Sequence, residues 1–482
     1  MRGIAIVSIV FLLLAAHAAK AKVFDKIVDV NGNGDYTTIQ EALNAVPDNS
    51  SSRTLIFVKN GTYTEKVKVE LTKTNVSLIG ESAVGVIITW NDYAGKDGLS
   101  SANTYTFWCD AKNFYAENIT FQNTSGNVGQ ALAIRTTGDY GVYKNCRFLG
   151  FQDTYYAHKN RQYNYQCYVE GGTDFVYGDA IAVYDYCTIN CVRGGSYISA
   201  PSDSKLITKV NGKKIYHGLM FDHCTVTCNS DVAAGSYYMG RPWQPDGSSV
   251  FLNSKLGGHI NPAGWAIWSG TNNHLSGSYA EYNNTDLNGN ALDLSARADW
   301  SKQLTGEEYS NYYNLDYFFA KSKTDTWNPS ETVQTLKTPE NVVVNGNAIQ
   351  WDAVDGAVGY VVFSGDSLLG ISESTTLDIT GNVTDVTVHS VRETGALSTP
   401  SNENVLGTND LIFPESDLQL TILNGVVSSN REVCFQVFNI NGQLLKDVRL
   451  ATYLPVGEFG RGVFIIKAID SKGRNRILKI RK

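Results

Sequence analysis

A chain of 482 residues, 43% hydrophobic and only 18% charged, has room for about three domains and a large core, which excludes a disordered chain, a collagen and a small disulfide scaffold. Lys plus Arg number 40 and Asp plus Glu 47, giving a net charge of −7 with no basic block, so nucleic acid is not an expected partner. The 44 Gly and 27 Tyr fit short strands and tight turns, and the expected class is all-β.

The chain opens with Met1-Arg2, an apolar run from Ile4 to Ala16, and the small residues Ala18, Ala19 and Ala21. A positive start, an apolar stretch of about 12 residues and A-x-A-like sites describe a secretory signal over 1–21. A membrane span would need about 20 apolar residues, and Lys20 and Lys22 arrive too early. The expectation is a secreted or cell-surface monomer with no membrane span. Its eight cysteines, at 109, 146, 167, 187, 191, 224, 228 and 434, would then meet oxidising conditions. They lack the spacing of a structural zinc site.

From 22 to 330 short segments recur. Asn118-Ile-Thr-Phe, Asn145-Cys-Arg-Phe, Gln166-Cys-Tyr-Val, Tyr186-Cys-Thr-Ile, His223-Cys-Thr-Val and Asn253-Ser-Lys-Leu share one pattern, with starts 27, 21, 20, 37 and 30 residues apart. Each is a strand too short to bury its apolar face alone. A period in the twenties without helical register predicts a parallel β-helix, with equivalent side chains stacked about 4.8 Å apart. The longer gaps are loops inserted on one side. Cys146, Cys167, Cys187 and Cys224 share a repeat position and are expected inside as buried thiols. Coil-to-coil spacing also admits a disulfide between Cys167 and Cys187.

After about residue 335 the pattern changes to short strands about ten residues apart, beginning with a hairpin around Asn345-Gly346. The segment 336–407 resembles a fibronectin type III domain. The segment 408–482 contains Val437-Phe-Asn-Ile-Asn-Gly-Gln-Leu and ends Arg476-Ile-Leu-Lys-Ile-Arg-Lys482. It is similar to the C-terminal sorting domains of exported Bacteroidetes proteins, which would make an export machinery a partner. The expected architecture is a parallel β-helix followed by two small antiparallel β-sandwich-like domains.

The richest polar grouping lies on the repeat. Asp153 and Asp174 are 21 residues apart and Gln130 and Gln152 are 22 apart, one coil in each case. Each pair should therefore occupy adjacent rungs of one face. Two stacked carboxylates push one pKa up, leaving one acid protonated, while an arginine beside the other keeps it ionised; Arg241 is the candidate. One neutral acid, one carboxylate and two amides suit nucleophilic attack on a carbonyl.

At these residues the chain resembles the pectin methylesterases, a right-handed parallel β-helix family. The motifs run in order as Gly61-Thr-Tyr-Thr-Glu65, Gln130-Ala-Leu-Ala, Gln152-Asp153-Thr154, Asp174-Phe-Val-Tyr-Gly178 and Gly240-Arg241-Pro242-Trp243. The resemblance, running from about 23 to 325, implies Asp174 as nucleophile, Asp153 as general acid and then base, and Gln130 and Gln152 as oxyanion-holding amides. It further implies that Arg241 orients the nucleophile, and that Trp243, Phe175 and Tyr177, with Gln130 and Arg241, contact substrate. Cys167 and Cys187 match positions that form a disulfide in relatives. The implied reaction removes C6 methyl esters from homogalacturonan, the pectin backbone, and needs neither metal nor cofactor.

Taken singly, these features have plainer explanations. An amide ladder accounts for the glutamines, turn-capping for the aspartates and packing for the tryptophan. Five motifs in order require all of those to hold at once. His158, His217, His223, His259 and His274 show no metal-ligand spacing. Two alternatives stay open: an esterase acting on another uronate ester, and a catalytically silent pectin-binding or adhesion protein.

Overall fold

The computed structural model describes residues 22–401 and, beyond them, 420–423, 426–439, 444–455, 463–470 and 475–481. The leader expected over 1–21 lies outside the described residues. Three parallel sheets of eleven, nine and seven strands run the length of a right-handed parallel β-helix. One coil illustrates the rest. The strand Arg161–Tyr165 lies in the eleven-stranded sheet, Tyr168–Gly171 in the nine-stranded one and Thr173–Gly178 in the seven-stranded one. Ile181–Asp185 then pairs with Arg161–Tyr165 one rung on.

The repeat explains its own turns. Its first residue sits in left-handed backbone at every coil: φ is 60° at Asn118, 48° at Asn145, 53° at Gln166, 52° at Tyr186, 51° at His223 and 47° at Asn253. Asparagine tolerates that region best among residues with a side chain, and it stacks: Asn145 Nδ2 donates to Asn118 Oδ1 at 2.7 Å. Where Tyr186 and His223 replace asparagine, their rings stack at 4.8 Å instead. The second repeat residue then points inward, burying Cys146, Cys167, Cys187 and Cys224. Aromatic rings fill the interior in columns, among them Tyr184, Phe221 and Phe251, with centroids 4.9 and 4.3 Å apart. Each ring so buried contributes roughly 1.5–3 kcal/mol by leaving water.

The outer face of the eleven-stranded sheet is also apolar and is covered from two directions. Past the helix Gly306–Tyr312, Tyr313, Phe318 and Phe319 pack there with Val183, Met220 and Val250. Arg161, fully buried, fastens this segment through Asp139, Asp325 and the Phe319 carbonyl at 2.7, 2.9 and 3.1 Å. Nearer the chain start, Val361, Phe363, Val391 and Leu397 join Leu55, Phe57 and Ile79 in the same apolar cluster. Hydrogen bonds from Ser77 Oγ to the Thr394 carbonyl at 2.6 Å and from the Leu397 amide to Glu117 at 3.3 Å fix the contact.

Residues 343–391 themselves form two three-stranded antiparallel sheets around Ile349, Trp351, Val362 and Val388. Their hairpin pairs Val343–Asn345 with Ala348–Gln350. The strands between Leu420 and Arg481 make a further antiparallel sheet. No helix among the described residues is long and apolar enough to cross a membrane.

Candidate active site

The seven-stranded sheet carries the polar grouping. Gln130 pairs with Gln152, and Gln152 with Thr173, while Tyr155 pairs with Val176 on the adjoining strands. Asp153 and Asp174, each one residue further along, therefore stand on neighbouring rungs, as their 21-residue separation implied. Both have left-handed backbone, φ 65° and 49°, a conformation that costs about 1–3 kcal/mol and turns each carboxyl out of the strand's regular alternation. Both are nearly buried, at 8% and 5% exposure.

One of the two carboxyls is charge-paired. Arg241 donates from Nε to Asp174 Oδ1 at 2.9 Å and from Nη2 to Oδ2 at 2.6 Å, a two-pronged contact. The guanidinium is itself held between the rings of Tyr197 and Trp268, 4.0 and 4.2 Å from their centroids. Asp153 has no such partner. Burial, and then the neighbouring Asp174 charge, push its pKa up to about 8, against the weaker pull of Tyr177, Arg241 and Gln152. Burial raises Asp174 too, and Arg241 opposes it. The Tyr177 hydroxyl, pushed well above its usual range by burial and by Asp153, remains a proton donor facing the acid.

Near neutral pH the site thus holds a protonated acid beside an arginine-paired carboxylate. The side chain of Gln130 is exposed and that of Gln152 half-buried, on adjacent rungs next to the pair. Trp243 is half-buried and meets the Tyr177 ring edge-on at 5.8 Å, and Tyr177 stacks flat on Tyr156 at 4.3 Å. Tyr177 is itself only 6% exposed, so the half-buried rings of Trp243 and Tyr156 are the ones that can hold a sugar beside the polar pair while a carbonyl meets the carboxylate.

Two expectations are corrected. Phe175 does not face substrate: it is fully buried in the helix interior, because the left-handed turn at Asp174 sends the next side chain inward. Gly171 accommodates it, since a Cβ there would lie 2.2 Å from Phe175 Cβ. Cys167 and Cys187 are unbonded thiols. Their sulfurs point at different carbonyls, those of Tyr143 and Asn164, each at 3.3 Å.

Sequence reasoning also missed Tyr156, Tyr197 and Trp268. Tyr156 could have been found by period-two alternation with Ala157 and Tyr155 inside; Trp268 sits in an inserted loop with no periodic signal. Among the described residues, the His, Asp and Glu atoms close enough together to hold a metal belong to Asp185, Asp222 and His223, on the eleven-stranded sheet and away from this pair.

Residues 25–322 match the pectinesterase family. Pectinesterase 31 of Arabidopsis thaliana is 35% identical over 300 residues, covering 60% of this chain and 90% of that one. A probable pectinesterase/pectinesterase inhibitor 13 of the same plant is 34% identical over 310 residues, 62% of this chain, and the chain spans only 49% of that longer relative. Among solved structures, a pectin methylesterase from carrot aligns with a TM-score of 0.57 at 32% identity, over 61% of this chain and 93% of its own. Pectin methylesterase PemA from Erwinia chrysanthemi aligns at 0.52 and 26% identity, over 64% and 99%.

Proposed function

This chain belongs to the pectinesterase family, and on that premise we propose that it hydrolyses the C6 methyl esters of homogalacturonan, releasing methanol and leaving free carboxylates. The observation that carries the proposal is the unequal treatment of two stacked acids: Arg241 grips Asp174 at 2.9 and 2.6 Å and leaves Asp153 to keep its proton.

The chemistry follows from that inequality. The Asp174 carboxylate attacks the ester carbonyl, and the amides of Gln130 and Gln152 stabilise the oxyanion of the tetrahedral intermediate. As that intermediate collapses, Asp153 gives its proton to the departing methoxy oxygen, and methanol leaves an acyl–Asp174 anhydride. Asp153, now ionised, takes a proton from water as the water attacks the acyl carbon. Hydrolysis frees the galacturonate carboxyl and restores both aspartates. Trp243 supplies the surface on which the sugar rests, backed by the Tyr177 ring, which is only 6% exposed.

A silent binder has no use for two opposed carboxylates with one of them arginine-gripped. The test is methanol release from highly methylated pectin by the purified protein, with Asp153→Asn as control. Release that disappears in the variant supports the esterase. Retention on pectin without release favours a silent binder, and release only from a different uronate ester moves the substrate. The apolar leader over 1–21 supports a secreted or surface-held enzyme, and the resemblance of 408–482 to sorting domains supports a role in export. The resemblance of 336–407 to a fibronectin type III domain assigns that segment an accessory part rather than a catalytic one.

A further inference from the structure

The eight cysteines fall into two groups by what their sulfurs meet. Four sit at the inward corner position of successive coils and donate to backbone carbonyls: Cys146 to Lys144 at 3.4 Å, Cys167 to Tyr143 and Cys187 to Asn164 at 3.3 Å, and Cys224 to Tyr184 at 3.2 Å. Cys109 points at the Ala111 carbonyl at 3.8 Å, and Cys434 at the Asp447 carboxylate at 3.1 Å. Cys191 and Cys228 remain, and among the described residues neither of these two sulfurs makes a hydrogen bond.

These two face each other. Cys191 ends the strand Thr188–Cys191, Cys228 ends the strand Thr225–Cys228 one rung on, and the parallel register sets Cys191 opposite Cys228. Strand alternation sends both sulfurs inward, as it does the fully buried Ile189 and Val226 two residues earlier. Residues so paired lie about 4.8 Å apart, inside the separation of roughly 4.4–6.8 Å between Cα atoms that a disulfide spans. On the preceding rung the position opposite Cys191 is Gly171, which has no side chain. Cys191 is fully buried, whereas Cys228 is half-buried at an open corner and is followed by the exposed Asn229 and Ser230.

Both corners lead straight into the catalytic rungs. Beyond Cys191 the chain enters the strand Tyr197–Pro201, and beyond Cys228 it enters Tyr238–Gly240 and then Arg241. Tyr197 pairs with Tyr238, and the Tyr197 ring is one of the two that hold the Arg241 guanidinium. Hydrogen bonds cross between the corners from the Asn229 amide to the Cys191 carbonyl at 3.0 Å, from the Tyr238 amide to the Ser196 carbonyl at 2.8 Å, and from the Tyr237 hydroxyl to the Val192 carbonyl.

We propose that Cys191 and Cys228 are a disulfide site: exposed to a disulfide oxidant, they close into a bond that staples the corner behind Tyr197 and Arg241, while the carbonyl-bound thiols stay reduced. The accessible Cys228 reacts first. Its thiolate attacks one sulfur of the oxidant, forming a mixed disulfide and expelling the other half as a thiolate. Cys191, its proton given to solvent, then attacks Cys228 Sγ, and the second half of the oxidant leaves. The pair loses two electrons and two protons, and the oxidant becomes two thiols. Burial holds both cysteine thiols above their usual range, so closure speeds up as pH rises. The cysteines are 37 residues apart, and the loop they close includes the antiparallel pair Leu206–Val210 and Lys213–His217. Constraining a loop of that length stabilises the support of the arginine without entering the chemistry.

The test takes the full chain, purified under reductant, and incubates it with oxidised glutathione at mildly alkaline pH. Free thiols are then alkylated and the digest is mapped. The expected result is two thiols fewer per chain, a peptide pair linking Cys191 to Cys228, and a Tm about 5 °C or more above that of the reduced protein, with kcat unchanged. Cys228→Ala should lose no thiol in the same treatment, and its Tm should not respond to the oxidant. If that variant does not fold, the wild-type map decides alone. Retention of all eight thiols, a glutathione adduct on Cys228 that goes no further, or a link between Cys167 and Cys187 in place of this one overturns the proposal.

Discussion

Two faces of the same helix each stack two aspartates on adjacent rungs, and only one of them is proposed as the reactive pair. On the eleven-stranded sheet Asp185 aligns with Asp222; Tyr163 donates to Asp185 at 2.6 Å, and Asn253 and His223 lie 3.0 and 3.1 Å from Asp222. Every partner there is neutral or weakly basic, and burial lifts Asp185 only to about 6. On the seven-stranded sheet a single arginine takes one member of the pair, and the other rises to about 8. Stacked acids alone are therefore a feature of the scaffold. What suits one such pair to the proposed roles of acid and nucleophile is an asymmetric cation with amides and an aromatic surface beside it.

Substitutions can break this contrast from either side. Removing the nucleophile is the most severe: Asp174→Asn should lower methanol release roughly 10³-fold or more with the fold retained, measured by turnover together with circular dichroism. Asp153→Asn removes the acid and should cost roughly 10²–10⁴-fold in kcat. Arg241→Gln strips the asymmetry itself. It should lower turnover by at least about tenfold and, by leaving a buried carboxylate unpaired, destabilise by up to about 3 kcal/mol, readable as a fall in Tm.

The other pair should respond in stability and not in turnover. The folded-state pKa of Asp185, about 6, lies above its unfolded value near 3.8, so the native chain holds the extra proton and stability falls as pH rises from about 4 to 6. Asp185→Asn should remove that slope and raise Tm at pH 7 by about 2 °C, with kcat unchanged. The smallest effect concerns the sulfurs. With Cys167 and Cys187 as free thiols, a reductant should leave the Tm of the Cys228→Ala variant where it is; a drop of several degrees would indicate a bond between them.

Much of this was legible in the sequence because a solenoid converts spacing into proximity. The 21- and 22-residue separations placed both acids and both amides correctly, and the Cys column fell on an inward position. Phe175 was assigned to the substrate through the family resemblance alone; alternation from an outward Asp174 already turns it inward, where it is fully buried. The interior thiols looked pairable because rungs are close; they do neighbour each other, the Cys167 amide donating to Cys187 Sγ at 3.3 Å, and both are free thiols. Trp268 comes from an inserted loop, beyond the reach of any period.

Nor did the boundary near 335 announce that the following strands would pack on the helix. One signal was present: Tyr360-Val-Val-Phe363 is apolar without a break. Tyr360 and Val362 face their own core, and Val361 and Phe363 face the helix. A strand buried on both faces has that continuous pattern.

The most direct test of the central claim, that Asp153 is the proton donor held protonated by its setting, is the pH dependence of kcat for methanol release, corrected for spontaneous hydrolysis. The rate should hold through neutral pH and fall tenfold per unit above about 8, where Asp153 loses its proton. A rate that stays level to pH 10, or one that already falls above pH 5, would contradict it.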